Sequence, residues 1–130
     1  HHHAAAGPAY DAAIEARALR HAVHGTTRQV LSLITNPMDV ICRNIRTVRE
    51  KMATRPDILG CHLEGPFLAL KRKGAHDLSL KDPVSELVDR MLDASGADLA
   101  AGKLGCIRQI TISTPDWTVQ HVWCAGRQVE

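Results

Sequence analysis

Apolar positions along this chain change period several times, and each change marks an element. Residues 12–23 are rich in Ala, Leu, Arg and Glu, which keep most of their side-chain freedom in a helix. His24-Gly25 then supplies the glycine common just past a helix end. Residues 27–35 carry Val30, Leu31, Leu33 and Ile34 among β-branched neighbours, the pattern of a short buried strand. Asn36-Pro37 predicts a helix start, with Asn36 accepting from unpaired backbone N–H groups and Pro37 at the first helical position. Ile41, Ile45, Val48 and Met52 then recur at spacings of four, three and four, which makes one apolar stripe. Arg43, Arg46, Arg49 and Glu50 fall on the opposite side.

Arg55-Pro56 ends that helix, because the residue before a proline disfavours helical angles. Residues 58–63 form the next apolar run, ending on Glu64. Asp82-Pro83 predicts a third helix, in which Val84, Leu87, Val88, Met91 and Leu92 keep a helical period up to Gly96. Helical crossovers between consecutive strands imply parallel pairing. After Lys103 the period shortens: Ile107, Ile110 and Ile112 predict a strand, Thr114-Pro115-Asp116 a turn, and residues 119–124 a second strand. That pair reads as a hairpin. The fold class expected is therefore α/β, βα units followed by a C-terminal β tail.

Composition narrows the function classes without choosing one. The 130 residues are 45% hydrophobic with few aromatics, so a core would be aliphatic. A net charge of +2, with Lys71-Arg72-Lys73 as the basic run, is too small for a nucleic-acid or anionic-membrane partner. No apolar stretch approaches a membrane span, and no secretory signal is evident; a cytoplasmic protein is the expectation. Cys42, Cys61, Cys106 and Cys124 lack zinc-ribbon spacing and read as small buried hydrophobes, since cytosolic thiols stay reduced.

The densest chemistry lies in Cys61-His62-Leu63-Glu64-Gly65-Pro66-Phe67 and in Lys73-Gly74-Ala75-His76-Asp77. Strand residues alternate faces, so His62 and Glu64 share a side while Cys61 points away. Gly65 and Pro66 force the strand to stop. Glu64 thus sits at a strand's carboxyl end, where α/β enzymes place their chemistry. On the bare residues it is equally a solvated strand-end carboxylate. His62 reads as a satisfied core histidine or a pocket residue, and His76 as a loop histidine or a binding group. Lys71-Arg72-Lys73 is a solvated loop or a contact for a phosphate. His21 and His24 are helix-end cations.

The HLEGPF run and the KGAHD run together resemble the N-acetylglucosamine-6-phosphate deacetylases of the amidohydrolase superfamily. The resemblance extends to Gly7-Pro8-Ala9-Tyr10-Asp11, His24-Gly25-Thr26-Thr27, residues 99–103 and residues 117–127. It implies that Glu64 is a ligand of a divalent metal, with zinc expected. It implies too that His76, with Gly74 and Ala75 of its motif, contacts an amino-sugar phosphate; His62, which shares a face with Glu64, is expected just behind the groups that touch metal and substrate. The reaction implied is metal-assisted hydrolysis of N-acetylglucosamine 6-phosphate to glucosamine 6-phosphate and acetate.

The family's (β/α)8 barrel needs about 250 residues, and the sequence passes from an early barrel helix to a tail segment between Gly96 and Leu99. The expected organisation is a tag or linker at 1–6, a partial barrel at 7–96, and at 97–130 a β tail with a hairpin from the family's small β domain. No residue matches the family's later metal histidines or its general-base aspartate, so this form is expected to be inactive. His1-His2-His3 reads as an expression tag, or as the H-x-H metal motif of many amidohydrolases. The alternative to an enzyme is an inert folded chain that forms homo-oligomers through exposed strand edges.

Overall fold

The computed structural model describes residues 8–69, 84–113, 122–124 and 127–129. Helix α1 (Pro8–Ala22) leads into strand β1 (Gln29–Ile34), helix α2 (Met38–Thr54), strand β2 (Ile58–Glu64), helix α3 (Ser85–Ser95) and strand β3 (Ile107–Thr111). Strands β4 (Val122–Cys124) and β5 (Arg127–Val129) pair antiparallel in a sheet of their own. The main sheet is parallel, in the order β1-β2-β3. Helices α2 and α3 make the two crossovers, as consecutive parallel strands require.

Alternation along the strands divides the sheet into two unlike faces. Leu31 and Leu33 on β1 lie opposite Cys61 and Leu63 on β2, and all four are buried in the cluster built around Ile41, Ile45 and Val48 of α2. The expected stripe on α2 is therefore the seam of the core. Met52 is only partly covered, and Arg43, Arg46, Arg49 and Glu50 are exposed. Burial on α2 is wider than the stripe, reaching Cys42, Asn44 and Thr47, because α1 and α3 pack against its flanks. From α1 come Tyr10, Ile14 and Ala18, one turn apart; from α3 come Met91 and Ala94.

Three expectations need correcting. Asn36 does not cap α2: its amide donates to the Ile34 carbonyl at 3.3 Å, and Pro37 is itself the N-cap, its carbonyl accepting from Val40 and Ile41 at 3.0 Å each. β1 is not buried on both faces, since Val30 remains 42% exposed. Ile107–Thr111 is not half of a hairpin with 119–124, but the third parallel strand, lying beside β2. The crossover through α3 carries it there, and its uneven apolar spacing reflects a register slip between Cys61 and His62. The C-terminal hairpin is instead β4-β5. Helix α3 starts at Ser85 with Val84 as its N-cap; Asp82 and Pro83 lie outside the described residues. Gly96 ends that helix in the left-handed conformation, as expected.

Two local devices fix this arrangement. Between Gln29 and Val30 the partners step from Ile58 to Gly60, so β2 carries one extra residue there. As a result Ile58 and Cys61, three apart, both enter the core. Gly60 has φ +142°, and a Cβ would collide with the Cys106 carbonyl oxygen and sit 2.8 Å from Arg108 Cγ. The second device is an ion network. Lys51 reaches Asp11 at 3.1 Å and Glu15 at 2.7 Å, while Arg55 joins Glu15 at 2.6 Å to Asp57 at 2.9 Å. Gln29 also donates to Asp57, at 3.1 Å. The network ties α1, the end of α2 and the entry to β1 together.

Gly60→Ala should cost about 1–3 kcal/mol from backbone strain alone, with the Cβ collision added, read as a lower urea midpoint. A variant as stable as the parent would remove the bulge from this account. Hydrogen bonds, chiefly from Lys51, hold the Glu15 carboxyl below its ordinary value, and Arg55 does the same for Asp57. Depressed folded pKa values add stability above the ordinary carboxylate range and lose it as pH falls through the folded values. Between pH 7 and 3 the melting temperature should therefore fall more steeply for the parent than for the Glu15→Gln, Asp57→Asn double variant.

Candidate functional site

The face of the sheet turned away from α2 collects the polar side chains of all three strands. Ser32 lies opposite His62, Ile34 opposite Glu64, and Glu64 opposite Thr111. His62 is half-buried and bracketed: Ser32 Oγ lies 3.2 Å from its Nδ1, and Thr111 Oγ1 lies 2.7 Å from its Nε2. A neutral imidazole donates from one nitrogen and accepts at the other. The two hydroxyls therefore satisfy both ring atoms and fix the ring across the strands.

Glu64 stands one step further on, on the same face, its Cα about 6.6 Å from that of His62 along a strand. It is half-buried and ends β2 as the Gly-Pro pair requires. The motif beyond it stays tied to β3. Gly65 N–H donates to the Thr111 carbonyl at 3.3 Å, Ser113 N–H to the Phe67 carbonyl at 3.2 Å, and Ala69 N–H to the Ser113 carbonyl at 3.2 Å. Pro66 and Phe67 are buried. The peptide between Gly65 and Pro66 is cis, and Gly65 has φ +90°. A side chain there would strike Thr35 Oγ1. The tail of HLEGPF is thus packing that anchors the end of the strand, and Glu64 is its outward-facing member.

His62 and Glu64 are brought together. Gly74, Ala75 and His76, the Lys71-Arg72-Lys73 run and His1-His2-His3 all lie outside the described residues. Among the described residues, no three His, Cys, Asp or Glu side chains converge as a metal site would require. Cys42, Cys61 and Cys106 are buried, as small hydrophobes would be; the side chain of Cys124 lies outside what the structure describes. Ser32 and Thr111 are the site residues that sequence reasoning missed. Period two along β1 could have put Ser32 on the same face as Ile34, but Thr111 becomes visible only once β3 is known to lie beside β2. No helix among the described residues is long and apolar enough to cross a membrane.

No family model matches the chain. Its structure is similar to that of N-acetyl-D-glucosamine-6-phosphate deacetylase from Mycobacterium smegmatis, at 30% sequence identity and a TM-score of 0.64 over 81% of this chain. A mutant of that enzyme in complex with N-acetyl-D-glucosamine-6-phosphate matches over 87% of this chain, at 30% identity and a TM-score of 0.61. This chain spans 27% and 29% of those two chains. The likeness thus covers most of this sequence and a little over a quarter of the enzyme.

Thr111→Val would leave a half-buried ring nitrogen of His62 without its hydroxyl and should cost about 1 kcal/mol in urea unfolding. Ser32→Ala should cost less, because Ser32 is exposed and water replaces its hydroxyl. The reverse order would mean that Ser32, not Thr111, holds the ring.

Proposed function

We propose that this chain is a βα portion of a deacetylase-like amide hydrolase acting on N-acetylglucosamine 6-phosphate, with barrel-type strand ends presenting its chemistry. The observation that carries the proposal is the position of Glu64: it faces outward at the carboxyl end of a parallel strand, within HLEGPF. The surrounding fold is similar to that enzyme at 30% identity. In this reading Glu64 contributes one ligand to a divalent metal, and Gly74, Ala75 and His76 contact the sugar phosphate. The metal would serve to polarise the acetamide carbonyl.

The described residues do not complete such a site. A catalytic zinc takes about three protein ligands, whereas here there is Glu64 and an imidazole whose nitrogens are both engaged by hydroxyls. Further ligands and the general base must come from outside the described residues. No catalytic step is therefore assigned to His62, whose role in this reading is to keep β2 and its two neighbours level beneath Glu64.

A second reading is favoured by one observation. Among the described residues β1 and β3 each pair on one side only, and Val30, Ile110 and Ile112 are 42%, 40% and 60% exposed. An inert chain that self-associates along these edges would also look like this.

Zinc titration of the parent and of Glu64→Gln, followed by acetate release from N-acetylglucosamine 6-phosphate, separates the two readings. The hydrolase reading expects weak zinc binding, at least tenfold weaker in Glu64→Gln, and little turnover in this 130-residue form. Zinc affinity identical in the two proteins, with acetate release equal to the zinc-only blank, would leave the inert reading standing.

A further inference from the structure

The thiols of Cys61 and Cys106 take no part in the proposed chemistry, yet both belong to the core and sit on facing backbone segments. Both are free, at 0% and 1% exposure. Cys61 N–H donates to the Cys106 carbonyl at 2.9 Å, across the β2–β3 junction. The Cα partner of Cys61 is Ile107; for strands about 4.8 Å apart with a rise of about 3.3 Å per residue, Cys106 one residue back is about 5.8 Å away, within the Cα separation of about 4.4–6.8 Å that a disulfide accepts.

In a regular ladder Cys106, one residue before the partner of Cys61, would turn its side chain to the opposite face. Here it lies ahead of β3, outside the regular ladder, and its thiol reaches α2, the side on which Cys61 is buried. Cys106 Sγ donates to the Ile45 carbonyl at 3.7 Å. A hydrogen bond between the two thiols pulls Cys106 below the ordinary thiol value and pushes Cys61 above it; burial opposes the Cys106 thiolate, and Arg49 and Arg108 favour it. Cys106 also borders an open groove of about 420 Å³, lined by Arg49, Met52, Ser95, Gly96 and Gly105. The residue with the more acidic thiol is therefore the one that borders the groove.

We propose that Cys61 and Cys106 are a redox modification site, closing to an intramolecular disulfide when the chain meets a low-molecular-weight disulfide such as oxidised glutathione. The Cys106 thiolate attacks one sulfur of the reagent, whose S–S bond breaks and releases one thiolate. Cys61 then gives up its proton and attacks Cys106 Sγ, expelling the second thiolate. Two protein thiols are oxidised and one reagent disulfide is reduced to two thiols, so electrons and protons balance. The bond would tie β2 to β3 ahead of the row of Ser32, His62 and Thr111.

The test is a disulfide map of the native chain after incubation with excess oxidised glutathione, with free thiols alkylated before non-reducing digestion and mass spectrometry. The expected result is loss of two of the four cysteine thiols, one peptide pair joining Cys61 to Cys106, and full recovery with dithiothreitol. Cys61→Ser should retain glutathione on Cys106, having no resolving thiol. If that variant fails to fold, the map of the parent decides alone. Four alkylated cysteines, or first links to Cys42 or Cys124, would overturn the proposal.

Discussion

Everything in this structure follows from the requirement that one face of a parallel sheet lie against α2. Leu31, Leu33, Cys61 and Leu63 meet Ile41, Ile45 and Val48 across that interface, and this apolar contact is the main source of stability available to a domain of this size. Once those residues are turned inward, strand alternation leaves Ser32, His62, Ile34 and Glu64 no choice but the other face. The polar row is the complement of the core: its geometry is fixed by the burial of residues that have no chemistry of their own.

Much of this was legible in the residues. The stripe Ile41, Ile45, Val48 with arginines opposite it located α2, the Gly-Pro pair located the end of β2 at Glu64, and Gly96 located the end of α3. These signals are local, carried by side-chain period or by backbone angles a single residue imposes. What was not legible depends on partners distant in sequence. Ile107–Thr111 could have been a hairpin strand or a third parallel strand, and only the unpaired edge of β2 decides between them. Thr111 as a partner of His62 follows from that placement alone. Pro37 displaced Asn36 from the cap because its own extended backbone already supplies the turn into the helix.

The candidate site shows the same division. His62 and Glu64 could be assigned to one face from the sequence, but whether the imidazole is available or engaged depends on hydroxyls contributed by β1 and β3. Both its nitrogens are engaged here, which makes it a cross-strand tie. The likeness to the Mycobacterium smegmatis deacetylase covers most of this chain and little more than a quarter of that one. A shared βα segment can therefore place a strand-end carboxylate without supplying the groups that would act with it.

The extra residue in β2 also acts as a frame marker. Counting back by twos from Glu64 through His62 would put Gly60 and Ile58 on the open face, yet Ile58 is buried in the core. The strand changes phase at Leu59-Gly60, and the side on which Glu64 emerges is decided four residues before it. Without the extra residue, Ile58 and Cys61 would stand two apart in a regular strand and would share the core face by simple alternation. With it they stand three apart, and they share that face only because the strand skips a phase at Gly60. The bulge thus joins two half-strands of opposite phase, so the residues before Leu59 and those after Gly60 read as separate patterns, each alternating on its own.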